Sequence, residues 1–450
     1  MVVRESLFVS KEAKGKRDME KFIIEGGHKL KGSVRPGGSK NEALPVLAAT
    51  LLTDEPVTLH NIPRIRDVLV MLDVMADLGG THEWIGDNTV RIHNKQINKT
   101  DLPAEMCSKV RASILFAGAM LARKGRCKLP PPGGDVIGRR RLDSHILALE
   151  ALGADINVDG KQFVFAAKTL VGAEIFMDEA SVTATENAIM AAASSKGATT
   201  IRNAACEPHV QGLCRMLVSM GARIEGIGTN ILRIEGSKSL WGCEHTIGPD
   251  YLEVGSLAGL AAVTGSEITI QDVVPDDLRM IRFVFERLGV KMEFRGNDLF
   301  IPGDQELIVR KDFNNAIPKI DDAPWPAFPT DLMSIAITVA TQSQGTVLFF
   351  EKMFEGRMFF VDSLIAMGAQ IVFCDPHRVV VVGKSQLFGS TLESPDVRAG
   401  MSLLIAALCA KGTSTIYNIH QIDRGYERID EKLQALGAKI SREQVTKLSD

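Results

Sequence analysis

Along the whole chain, apolar stretches of helical character end at a short Leu-Gly-Ala-like step and give way to segments in which apolar and polar residues alternate. The step occurs six times, at Leu78-Gly79-Gly80, Leu152-Gly153-Ala154, Met220-Gly221-Ala222, Leu288-Gly289-Val290, Met367-Gly368-Ala369 and Leu436-Gly437-Ala438. Counted from one leading residue to the next, the spacings are 74, 68, 68, 79 and 69, a period close to seventy. The glycine suits the end of a helix, where a left-handed residue caps the open carbonyls without a Cβ clash. The alternation after it, as in Asp155-Ile-Asn-Val-Asp and Lys291-Met-Glu-Phe-Arg, suits a strand with one wet face. A second strand signal recurs in register, from Glu55-Pro-Val-Thr-Leu-His through Gly125-Arg-Cys-Lys-Leu to Gly412-Thr-Ser-Thr-Ile-Tyr. One unit cannot bury its apolar face alone, so neighbours must share a core. A solenoid would need atypical end copies, yet the last copy, ending at Ile440, is as regular as the middle ones. Six units grouped three and three around two closed cores are expected, giving two domains of roughly two hundred residues, within the usual domain range.

Composition narrows the partners. With 52 Lys plus Arg against 55 Asp plus Glu, the net charge of −3 offers no global basic field for nucleic acid or membrane. The longest apolar runs, Ala112 to Ala122 and Met401 to Ala410, are too short to span a bilayer, and the charged N-terminus does not read as a signal peptide. Seven scattered cysteines without Cys-x-x-Cys spacing read as reduced thiols, so a cytoplasmic protein is expected. Residues 1–18 are charged and poor in apolar side chains and read as a flexible extension.

Chemistry collects at the edges of the repeats. Gly38-Ser39-Lys40-Asn41-Glu42 has the Ser-x-x-Glu spacing of a capping box, which places Lys40 at a helix N-terminus, where an anion is favoured; Pro45 would delay or bend that helix. Gly133-Gly134-Asp135 runs into Arg139, Arg140 and Arg141, which repel one another unless an anion lies near, although a solvated basic turn would look the same. Thr183-Ala-Thr-Glu186 reads as another capping box, opening a helix from Asn187 to Ser195. Glu355-Gly356-Arg357, Asp396-Val397-Arg398 and Asp423-Arg424 each set an arginine beside an acid, a pattern also produced by surface ion pairs. Two prolines and an aromatic fix the backbone before Asp331, which could equally be an N-cap. No Walker loop, nucleophile elbow or His-Glu-x-x-His is present, and the nine histidines show no metal spacing.

Taken together, Gly38-Ser-Lys-Asn-Glu-Ala-Leu-Pro45, Arg111-Ala-Ser-Ile-Leu115, Pro326-Ala-Phe-Pro-Thr-Asp331 and Ile422-Asp-Arg-Gly-Tyr-Glu-Arg428 resemble the signature segments of the UDP-N-acetylglucosamine 1-carboxyvinyltransferase family, from about Phe22 to about Ile440. The resemblance implies an α/β fold, a two-domain inside-out α/β barrel with three βαβαββ-like repeats per domain. It places residues 1–39 and 249–450 in one domain and 40–248, with a mobile loop near 131–141, in the other. It further implies transfer of the enolpyruvyl group of phosphoenolpyruvate to UDP-N-acetylglucosamine, without metal or cofactor, by a monomer or weak homo-oligomer. By resemblance, Lys40, Arg140 and Arg424 hold the phosphate, Arg357 and Arg398 the carboxylate, and Asp331 takes the hydroxyl proton. Asn41 would bind the sugar, with Arg111 and Met353 also in the site, and Asp143, His145, Ser181, Val182 and Thr183 resemble the nucleotide-contacting set. Asp135 stands where most members carry the cysteine that the epoxide fosfomycin alkylates and that is linked to acid chemistry. Arg141, Ser144 and Thr183 also depart from the usual proline, leucine and glycine near the nucleotide. A transferase acting on another nucleotide, or a non-catalytic sensor of the same fold, are the alternatives; retention of the full charge nest speaks against the sensor.

Overall fold

The computed structural model describes residues 20–135 and 137–445, so the extension expected over 1–18 lies outside the described residues. At all six Leu-Gly-Ala-like steps a helix ends and a strand begins: helix Arg66–Leu78 precedes strand Thr81–Gly86, and helix Pro208–Ser219 precedes strand Arg223–Glu225. The step glycines have φ between 89° and 110°, a region costly for a residue with a Cβ, so an alanine there would strain every repeat. Among the described residues the strands form five four-stranded sheets and one three-stranded sheet. Five contain an antiparallel hairpin set by the alternating segment, as where Asp155–Asp159 pairs with Gln162–Ala166; in the sixth, Lys439–Gln444 pairs antiparallel with Glu20–Glu25 instead.

Helices occupy the inside. Tyr251–Thr264, Met333–Gln342 and Val397–Cys409 pack on one another in one lobe, buried on nearly every face. Lys40–Ala49, Phe116–Lys124 and Val182–Ala193 do so in the other. A helix apolar all round has no side to give to water, so it becomes an axis, and the half-polar sheets wrap it from outside. Each fully buried Leu or Ile contributes roughly 1.5–3 kcal/mol, enough in number to hold two separate cores. One core contains Ala43 through Ile247; the other contains Tyr251 through Ile440 together with Phe22, Ile24, Leu30 and Val34. Strand Glu20–Glu25 lies between Thr413–Tyr417 and Lys439–Gln444, and Lys31–Val34 runs parallel to Glu267–Ile270, which ties the start of the chain to its end.

The chain crosses between the lobes at two adjacent points. Ser39 N donates to Gly248 O at 2.8 Å and Asp250 N to Gly37 O at 2.9 Å. Both crossings run straight into central helices, so the lobes meet where helix N-termini converge.

Two local expectations are corrected. The helix bearing Thr183 and Glu186 begins at Val182, with the extended Ser181 before it, so these residues lie inside it and form no capping box. Thr183 is taken by a side-chain contact and Glu186 by burial, which leaves neither free to cap. The helix after Ser39 begins at Lys40 despite Pro45, and Ser39 Oγ accepts from Glu42 N at 3.4 Å. Glu42 does not reach back; it accepts from Gly248 N at 3.1 Å and contacts His245 Nε2 at 2.9 Å, bracing the crossing point.

Candidate active site

Between the lobes lies a cavity of about 580 Å³. Every candidate side chain named from the sequence lines it except Asp143, which pairs with Arg141 at the surface. The lining divides into a cationic region and a wall without ion pairs among the described residues.

In the cationic region, Asp331 sits in a tight turn, Thr330–Leu332, ahead of helix Met333–Gln342, and makes no cap. Its carboxylate accepts instead from Arg357 Nη2 at 2.6 Å and Arg398 Nε at 3.2 Å. Burial alone would raise this carboxyl, but the two guanidiniums outweigh it and hold it well below the usual range. Arg357 Nε and Arg398 Nη1 are buried with no partner, so the pair keeps donors for a further anion. Across the cavity, Lys40 Nζ is 2.9 Å from Asp67 Oδ2, and Arg424 Nε donates to Asp67 Oδ1 at 2.9 Å. Arg424 also pairs with Asp135 and donates from Nη1 to Gln421 Oε1 at 2.9 Å. Arg140 makes no ion pair among the described residues, and burial lowers its pKa. Arg111 donates to Arg140 O at 2.8 Å; burial and the Arg140 charge push it down to about 10. Six cations thus face three carboxylates, a surplus suited to a multiply charged anion. The arginine-acid pairs of the sequence are therefore not surface pairs: Asp396 caps helix Val397–Cys409, Asp423 bonds Arg442, and their arginine neighbours turn inward.

The glycine loop reaches this region from the other lobe. Gly356 N donates to Ile137 O at 2.9 Å and Arg139 N to Glu355 Oε1 at 3.3 Å, while Asp135 meets Arg424. A Cβ on Gly138 would lie 2.6 Å from the Glu355 carboxylate, so glycine permits this close approach. Behind Arg357, buried Glu351 is pushed up to about 8 by burial and by Asp322. It accepts from the Thr330 hydroxyl and from Met353 N and Phe354 N, and so positions the segment before Arg357.

At the far end, the Asn187 amide donates to His145 Nδ1 at 2.9 Å, leaving Nε2–H to face Thr183 Oγ1 at 3.1 Å. Burial and the Arg111 charge push His145 down to about 3, so it is neutral. The wall without ion pairs consists of Glu186, Glu207 and His209 with Tyr251 and Trp325. Burial and the neighbouring Glu207 raise Glu186 well above the carboxylate range, burial raises Glu207, and burial pushes His209 down to about 4.

A model of the family described as EPSP synthase (3-phosphoshikimate 1-carboxyvinyltransferase) matches residues 24–433. The chain belongs to the enolpyruvyl transferase family. It is 57% identical over 421 residues to the UDP-N-acetylglucosamine 1-carboxyvinyltransferase of Bradyrhizobium diazoefficiens, covering 94% of this chain and 97% of that one. To the enzyme of the same name from Treponema denticola it is 56% identical, over 94% and 99% of the two chains. In fold it is similar to the enolpyruvyl transferase NikO from Streptomyces tendae, with a TM-score of 0.84, 23% identity and coverage of 96% and 100%. EPSP synthase from Acinetobacter baumannii follows, with a TM-score of 0.72, 18% identity and coverage of 95% and 100%.

Sequence reasoning missed Asp67, Glu186 as a lining residue, Glu207 and His209. Asp67 was open to discovery, because it is an acid on the buried side of an otherwise amphipathic helix, between Val68, Met71 and Met75. The others carry no such signal, since only folding brings them to the cavity.

Proposed function

We propose that this chain transfers the enolpyruvyl group of phosphoenolpyruvate to the 3-hydroxyl of UDP-N-acetylglucosamine and releases phosphate, the first committed step of peptidoglycan synthesis. The observation that carries this reading is Asp331 held by Arg357 and Arg398 inside one cavity with Lys40, Arg140 and Arg424. Phosphoenolpyruvate has a phosphate and a carboxylate at opposite ends, and two cationic nests suit them. Lys40, Arg140 and Arg424 take the phosphate; the spare donors of Arg357 and Arg398 take the carboxylate. Asn41, Arg111, Met353, His145, Ser181, Val182 and Thr183 receive the sugar nucleotide.

With its two arginines alone, Asp331 is a weak base, because they stabilise the ionised form. A bound substrate carboxylate shares those guanidiniums, which raises the basicity of Asp331 when it is needed. Asp331 then takes the 3-hydroxyl proton as the oxygen bonds to the enol carbon, and the methylene gains a proton. Phosphate next leaves with its bonding electrons and the methyl group gives back a proton, restoring the double bond. The cations stabilise the charge on the departing phosphate. The loop residues 131–135 and 137–141 cover the site and exclude water while the intermediate exists.

Phosphate release from phosphoenolpyruvate with UDP-N-acetylglucosamine, UMP or shikimate 3-phosphate as acceptor tests the reading. Turnover with the first alone supports it. Turnover with UMP selects a different nucleotide acceptor, and no turnover with any acceptor leaves a binding protein.

A further inference from the structure

Besides the spare donors of Arg357 and Arg398, three buried polar atoms in the cavity wall have no partner: Glu186 Oε1, Glu207 Oε2 and His209 Nδ1. Glu186 is 1% exposed and His209 4% exposed, yet all three residues line the cavity. No ion pair among the described residues involves Glu186 or Glu207, although buried carboxyls without a cation are costly; Glu207 meets backbone N–H groups only, through its other oxygen. We propose that Glu186, Glu207 and His209 are specificity-determining residues that hydrogen-bond the hydroxyl and acetamido groups of the acceptor's sugar. This rests on the acceptor assigned above.

The chemistry of the wall fits a neutral, hydroxyl-rich ligand. Burial works against ionisation of both carboxyls, and Glu207 adds to it at Glu186, which favours the acid form, with an O–H donor as well as acceptor oxygens. His209, neutral and stacked on Tyr251 with ring centroids 6.4 Å apart, adds one nitrogen. Sugar hydroxyls both donate and accept, and an amide offers one of each, so they pair with such groups without a net charge. An anionic acceptor group placed here would meet two carboxyls that no cation pairs among the described residues. The wall also spans both lobes: Glu207 and His209 come from one, Tyr251 and Trp325 from the other, with Tyr251 and Trp325 rings 5.8 Å apart. A sugar seated on it therefore touches both lobes at once, and leaving these groups unpaired disfavours acceptors without that sugar.

Calorimetry on the full chain with UDP-N-acetylglucosamine and with UDP, which lacks the sugar, tests this. Glu186→Ala and Glu207→Ala should each weaken UDP-N-acetylglucosamine binding about tenfold or more, the loss of one buried hydrogen bond, and leave UDP binding within about twofold. Glu186→Gln and Glu207→Gln keep size and hydrogen bonding and should retain most of the sugar discrimination. They also serve if an alanine variant does not fold. Alanine variants that bind both ligands as the parent does, or that weaken both equally, overturn the proposal. So do glutamine variants that lose UDP along with the sugar nucleotide. If the parent protein itself does not bind UDP-N-acetylglucosamine, the acceptor assignment fails, and with it the ligand named for this wall.

Discussion

Asp331 and the Glu186–Glu207 pair are buried acids on one cavity, yet they are driven in opposite directions. Burial opposes the charged form in both places. At Asp331 two guanidiniums within 3.2 Å overcome it; at the glutamates nothing does. Burial therefore does not decide what a carboxyl can do: the partner does. One place holds its carboxyl as an anion among cations, and at the other burial works against ionisation.

Removing the anion from the cationic end should have the largest effect. Asp331→Asn keeps the size and the hydrogen bonds but not the proton acceptor, so turnover should fall on the order of 10²–10⁴-fold, with nucleotide binding kept. Phosphate-release kinetics beside calorimetry would check this, and near-normal turnover would reduce Asp331 to a structural group. Asp67 is next. Asp67→Asn leaves Lys40 and Arg424 buried together without their compensating charge, which should cost roughly 3 kcal/mol or more in denaturant unfolding. Saturating inorganic phosphate should stabilise this variant more than the parent, since it replaces the lost anion; an equal gain in both would argue against a phosphate site there.

Glu351 sharpens the comparison because it has both a like-charged neighbour, Asp322, and a cation, Arg357, close by. Its folded pKa is raised, from 4.5 to about 8, so the folded state holds the proton more tightly than the unfolded chain. Its contribution to stability is thus complete below about pH 4.5 and is lost as pH rises towards 8 and beyond, by at most on the order of 5 kcal/mol. The stability difference between the parent and Glu351→Gln should shrink steadily across that window, and a constant difference would mean that Glu351 ionises normally. The smallest change in turnover is expected at Asp135. Paired with Arg424, it presents a carboxylate where an alkylatable thiol would stand, so the parent should resist fosfomycin. Asp135→Cys should stay within about tenfold in turnover and become inactivated with time, and rapid inactivation of the parent would show that the loop lies elsewhere.

Periodicity alone determined the six repeats, their glycine caps and the strands that follow, because helix ends and strand alternation are local physics that a seventy-residue window contains. The lysine at Lys40 and the clustered arginines were likewise legible as charge placed beside glycines. The sequence could not tell whether Arg357, Arg398 and Arg424 pair with their neighbours at the surface or turn inward, since both arrangements have the same spacing. Nor could it show that Glu186 lies within a helix and not at its start, or that Asp67, 357 residues from Arg424, completes the cationic nest. Those outcomes depend on which lobe faces which across the cavity. Only the tertiary structure sets the distances and the burial that lower the pKa of one carboxyl and raise that of another.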